Sequence, residues 1–144
     1  FMVGSSYPGR DNGCDRGGFG GSGGCAIPAD RRCDNGTAVG DPASLMLVPV
    51  SQFRRDYLLL TPQNYLDDYI TVIAPTGATV TVDGSPIVAV GTIGTVGTWQ
   101  IIHSLVPDGV HRIESTVEVG VMAYGYDCDV SYAYPGGLNL ESIR

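Results

Sequence analysis

The chain has 144 residues, with 15 acidic side chains against eight basic ones and a formal charge of −7. That length suits one ordinary domain with its own core, and the charge leaves no basic face to neutralise phosphates, which argues against nucleic acid and anionic lipid as partners. The longest apolar run, Leu45 to Val50, is broken by Pro49 and falls far short of the ~20 residues that span a bilayer, so no membrane insertion by this segment is expected.

Residues 1 to 6 read as the tail of a strand whose start has been cut away. The Phe1 start lacks the charged and apolar regions of a signal peptide. The chain is therefore expected to be a fragment of a longer protein, with any targeting signal outside it. Residues 7 to 40 concentrate glycine, aspartate, proline and cysteine without an apolar period, which predicts a long ordered loop or a disulfide-tied insertion. Cys14, Cys25 and Cys33 lie there, and Cys128 lies far downstream. Four cysteines in an acidic, lysine-free chain fit an oxidising compartment. Three pairings are open. Cys14 with Cys25 and Cys33 with Cys128 is favoured, because the local bridge orders the loop and the long one pins it, at a gain of ~4 to 5 kcal/mol in the chain-entropy model. A zinc site is disfavoured, since no close Cys-x-x-Cys pair is present.

The same segment carries patterns that glycine abundance alone explains. Gly20-Gly-Ser-Gly-Gly24 matches a nucleophile elbow, and Gly18-Phe-Gly-Gly-Ser-Gly23 a dinucleotide loop, but neither has the strand before it and helix after it that the chemistry requires. Asp11, Asp15, Asp34 and Asn35 sit on glycine-permitted turns and offer the oxygen ligands that calcium takes. Their spacing departs from the EF-hand loop, and turn formation is the favoured reading. Asn35-Gly-Thr37 is a glycosylation sequon, without meaning in a bacterial product. All eight basic residues are arginine, which fits a GC-rich genome; the functional alternative makes Arg54 and Arg55 a carboxylate-binding fork.

From Asp41 the punctuation becomes regular. Strands are predicted at 44–50, 57–61, 69–74, 79–82, 87–90, 99–105, 110–115, 119–126 and 130–134, with little support for helix. Asp83-Gly84 between β-branched runs predicts a type I′ hairpin from about Thr79 to Val90. Gly91 to Gly97 reads as a connector or bulged edge, and Pro107-Asp108-Gly109 as a turn. The expected fold is all-β, an antiparallel β-sandwich with a Gly/Cys-rich disulfide-tied N-terminal loop, forming a single domain over 1–144 with the loop at 7–40 and the core at 41–137.

Several phrases in order carry a resemblance: Gly40-Asp-Pro42, Val48-Pro-Val-Ser-Gln-Phe-Arg54, Asp56-Tyr-Leu-Leu-Leu-Thr-Pro62, Ile70-Thr-Val-Ile-Ala-Pro-Thr-Gly77, Val80-Thr-Val-Asp-Gly84, Asp108-Gly-Val-His111 and Ser131-Tyr-Ala-Tyr-Pro-Gly-Gly137. Together they resemble the IgG-Fc-binding protein N-terminal domain family over roughly two thirds of the chain. The resemblance implies a module of secreted or surface proteins, found in a mucus-associated animal glycoprotein and in bacteria, especially myxobacteria. Fc binding itself is not carried over, because no residue here matches a known contact. His111 falls in the family's Gly-x-His phrase, which implies a structural role.

Tyr124, Tyr126, Tyr132 and Tyr134 are the candidate binding face, since tyrosine gives large contact area, a polar tip and little rotamer entropy. If the last two strands join through Asp127 to Asp129, all four rings can share one side; packing of the sandwich core, with the hydroxyls bonded at its edge, is the favoured reading. His103 and His111, flanking the Pro107 turn, would approach each other if that turn closed a hairpin, and a structural role is favoured over a metal site. With no credible acid, base and nucleophile set, no enzyme is expected. The expected function is a non-catalytic extracellular binding or adhesion module at the cell surface, recognising a glycan, a mucin-like chain, a protein or neighbouring modules. The alternative is a structural assembly module of a surface fibre.

Overall fold

The structure is a computed structural model that describes residues 2–3, 40, 42–90, 94–128 and 130–140. Strands β1 (Met2–Val3) and β2 (Ala43–Ser44) form a two-stranded antiparallel ribbon. A 3-10 turn at Val50–Gln52 follows, then β3 (Arg54–Thr61), β4 (Asp67–Pro75), β5 (Val80–Val82), β6 (Ser85–Pro86), β7 (Gly94–Val96), β8 (Trp99–Val106), β9 (Gly109–Asp127) and β10 (Val130–Pro135). β3 to β10 make one eight-stranded sheet in which every pairing is antiparallel. The all-β expectation holds, and the strands are joined by hydrogen bonds into one curled sheet.

The 19-residue β9 is the reason. Its first half pairs with β3 on one side and β5 on the other, and its second half with β4 and β10. Two wings, β6-β5-β9-β3 and β10-β9-β4-β8-β7, thus share a single strand. The sequence reading broke this strand at Thr116 to Glu118, yet that stretch has no glycine or proline, and its threonine and valine favour extended backbone. Nothing there ends the strand. Conversely, the strand expected over 44–50 is only two residues long, because Pro42 and Pro49 lack the N–H a ladder needs. The connector at 91–97 contributes the short edge strand β7.

One core lies between the wings. Tyr57 and Leu59 of β3, Val80 of β5 and Ile113 and Val119 of β9 pack with Ile70, Val72 and Ala74 of β4, Ile102 and Val106 of β8, and Val121 and Ala123 of β9. Period 2 explains the choice: along β3 every second residue from Tyr57 turns inward. At the junction of the wings, a Cβ on Gly120 would stand 2.5 Å from the Phe53 ring, so glycine is required for that ring to seat there. Phe53 in turn meets Trp99 edge-on, with centroids 5.9 Å apart.

The Asp83-Gly84 hairpin forms as expected. Both central residues have positive φ, 52° and 77°, and Val82 pairs with Ser85. The returning strand is Ser85–Pro86 rather than 87–90, and one further bond follows it, from the Ile87 N–H to the Val80 carbonyl at 3.0 Å.

Candidate functional site

β3 is paired only with β9 among the described residues, and its outward positions carry an unusual pattern. A solvated strand face is ordinarily polar, yet Leu58 is 70 % exposed and Leu60 59 %, and Val110, directly opposite Leu60 on β9, is 62 % exposed. The strip is bounded by an ion-pair network in which Arg112 Nη2 lies 2.5 Å from Asp56 Oδ2 and 3.2 Å from Glu114 Oε1. Asp56 and Glu114 hold Arg112 more firmly protonated than an isolated guanidinium. Apolar centre and charged rim are the anatomy of a protein interface. The sequence reading passed over these residues; the signal was Leu58-Leu59-Leu60, a three-leucine run in a strand with room for one inward leucine.

The start of β3 is irregular, and this places the two arginines. Arg54 pairs with Val119 but Asp56 with Glu114, so β9 has surplus residues here and the register shifts. Tyr57 bridges the gap: its hydroxyl accepts the Arg54 N–H at 2.9 Å and donates to the Val119 carbonyl at 2.5 Å. Burial pushes the Tyr57 phenol pKa up. The shift leaves Arg54, Arg55 and Asp56 all exposed around an open recess of about 260 Å³, which Phe53, Glu118 and Asn139 also line. Arg55 Nε bonds Glu118 Oε1 at 2.9 Å and holds that carboxyl below its usual range. The Arg54 guanidinium lies 5.9 Å from the Tyr57 ring centroid.

The four tyrosines do not share a face, which corrects the conditional expectation above. In the hairpin joining β9 to β10, Asp127 pairs with Val130, a register one residue away from the one that the expected connection through Asp127 to Asp129 gives. That one-residue difference turns every β10 side chain over. Tyr132 and Tyr134 consequently stand opposite Gly125 and Ala123 and pack half-buried against the main core. Tyr124 and Tyr126 point to the other side, where they form a buried cluster with Tyr69; Tyr69 and Tyr124 stack with centroids 5.3 Å apart and planes at 14°. Burial raises the pKa of both phenols, Tyr126 to about 12.

Tyr134 has a distinct task. Its hydroxyl accepts the Leu60 N–H at 3.0 Å and donates to the Leu60 carbonyl at 2.5 Å, so it satisfies both backbone groups on the free edge of β3. Tyr132 donates to Asp68, whose carboxyl is 2 % exposed. Burial, with the Asp108 carboxyl nearby, raises Asp68 to a pKa of about 6 despite the Tyr132 hydrogen bond.

The histidines do not converge. β8 and β9 are not paired, since β4 runs between β8 and the second half of β9, and the Pro107 turn carries the chain from one wing to the other. His111 is 3 % exposed, with Nδ1 2.7 Å from Asp83 Oδ2 and Nε2 2.8 Å from the Pro107 carbonyl. Both ring nitrogens face oxygens. The histidine hydrogen bond and the Arg112 N–H hold Asp83 below the usual carboxylate range. His103 Nδ1 lies 2.8 Å from Thr71 Oγ1, and burial lowers its pKa. Thr71 is itself buried.

The calcium candidates Asp11, Asp15, Asp34 and Asn35, the loop motifs at 18–24, and Cys14, Cys25 and Cys33 lie outside the described residues. Cys128 is disulfide-bonded. Among the described residues, no group of three or more His, Cys, Asp or Glu side chains is arranged to hold a metal ion, and no helix is long and apolar enough to cross a membrane. The family model described as IgGFc binding protein matches residues 19–125. No curated protein and no solved structure matches the chain.

Proposed function

The chain belongs to the IgGFc binding protein family, and from that membership we propose that it is a non-catalytic extracellular binding module whose contact surface is the outward face of β3 and the first half of β9. The observation that carries this reading is the exposed strip of Leu58, Leu60 and Val110 beside the Arg112 ion-pair network. Apolar side chains grouped on a strand face and rimmed by charge fit a macromolecular partner. The family description points to a protein as that partner, with immunoglobulin Fc as the first probe. A glycan or mucin-like chain is the second class to test. The disulfide at Cys128 supports an oxidising, extracellular setting, and we assign Cys33 as its partner. The lysine-free composition favours a GC-rich bacterial source.

Arg54 and Arg55 flank the strip at the start of the same strand and belong to this surface. Tyr132 and Tyr134 contribute by holding the β3 edge and the Asp68 end of β4. Tyr124 and Tyr126 contribute through the stack beneath the opposite face.

The test is capture of immunoglobulin Fc, purified mucin and an array of glycans by the immobilised chain, against the double variant L58D/L60D. The outward leucines can be changed without touching the core. The reading expects at least one probe to bind the native chain and to lose tenfold or more in affinity with the variant. Unchanged affinity in the variant would refute this surface. Multimers in solution that bind no probe would favour an assembly module.

A further inference from the structure

The recess at the start of β3 carries an unbalanced charge. Each carboxylate in its lining already has an arginine: Glu118 is held by Arg55, and Asp56 by Arg112. Arg54 has no carboxylate within ion-pair distance among the described residues. Its guanidinium rests beside the Tyr57 ring and against the backbone at Gly137, where an added Cβ would stand 3.9 Å from Nη1. An exposed, uncompensated and oriented fork in a chain of charge −7 stands apart from the rest of the surface. Arg55 commits only Nε to Glu118, and Asn139 lines the same recess.

We propose that this recess is a subsite for a single carboxylate group carried by the partner, with Arg54 as the bidentate donor and Arg55 and Asn139 as flanking donors. Planar guanidinium matches planar carboxylate through two parallel N–H···O bonds. Size sets the scale of the ligand: about 260 Å³ is below the roughly 300–1,000 Å³ of sites that enclose a whole drug-sized molecule, so the recess takes one acidic residue or one acidic sugar of something larger. The inference rests on the binding-module reading for its biological meaning, while its chemistry stands alone.

The experiment is a titration of the isotopically labelled chain, followed at the arginine Nε–Hε and asparagine side-chain resonances. The probes are N-acetylneuraminic acid, an N-acetyl glutamate amide, lactose and sodium chloride at matched ionic strength. The proposal expects saturable movement of Arg54 with one or both carboxylates, none with lactose, and an unsaturated drift with chloride; which carboxylate saturates first separates sugar from peptide. R54Q should abolish the saturable shifts at Arg55 and Asn139, and R54K should weaken them severalfold, because lysine keeps the charge and loses the fork. Saturable shifts that persist in R54Q, or an Arg54 response to carboxylate no different from chloride, would overturn it. The small carboxylates report on the recess alone, and capture by the native chain against L58D/L60D reports on the leucine strip, so the two readings fail separately.

Discussion

Asp68 is a carboxylic acid buried at the end of β4, and its setting favours the protonated form. With its pKa raised to about 6 from the ordinary 3.8, the folded chain holds a proton that the unfolded chain releases. Stability from this group is therefore lost as pH rises from about 4 to about 6. Asp83 acts in the opposite sense. Its pKa is lowered by His111, so its contribution is present above the ordinary carboxylate range and is lost as pH falls below it. Thermal unfolding followed from pH 3 to 8 should show the native chain becoming less stable between pH 4 and 6.5. D68N should remove most of that slope, because an amide oxygen can still accept from Tyr132 without ionising. Tyrosine hydroxyls make the second case at this scale. Y57F would strand the buried Val119 carbonyl and should cost ~1–3 kcal/mol, whereas Y134F leaves Leu60 groups that water can reach and should cost ~1 kcal/mol or less. Urea denaturation of the two variants checks the order.

At the scale of elements, β9 decides the architecture, and Gly120 marks where its two halves meet. G120V would drive a branched side chain into the Phe53 ring and is expected to destabilise by ~1–3 kcal/mol, with the loss visible in Trp99 fluorescence because Phe53 packs on that indole. The Asp83-Gly84 turn gives a smaller effect. G84A meets no atom but keeps a φ of 77°, so conformational strain of ~1–2 kcal/mol is expected from chemical denaturation. Local signals made some of this legible. The turn chemistry at Asp83-Gly84 is written within a few neighbouring residues, and the turn appears as expected. The face on which Tyr132 and Tyr134 lie hangs on a one-residue difference in register, which composition does not encode. Tyr134 reaching Leu60, 74 residues away, is a tertiary contact with no local trace.

For the whole molecule, two faces of one curled sheet have been put to different uses. Beneath the second half of β9, Tyr69, Tyr124 and Tyr126 bury one another. Across β3 and the first half of β9, leucine and valine are left in water beside arginine. That surface was the least legible in the sequence, because Leu58-Leu59-Leu60 looks like core until β3 is known to be paired on one side and open on the other. Its exposure is the observation on which the proposed contact surface rests.

The most direct measurement is methyl cross-saturation on the labelled chain bound to whichever of Fc or mucin it captures. The account predicts saturation transfer to the methyls of Leu58, Leu60 and Val110, and none to the core methyls of Leu59 and Ile113. Transfer confined to methyls elsewhere on the molecule, with Leu58 and Leu60 silent, would contradict it.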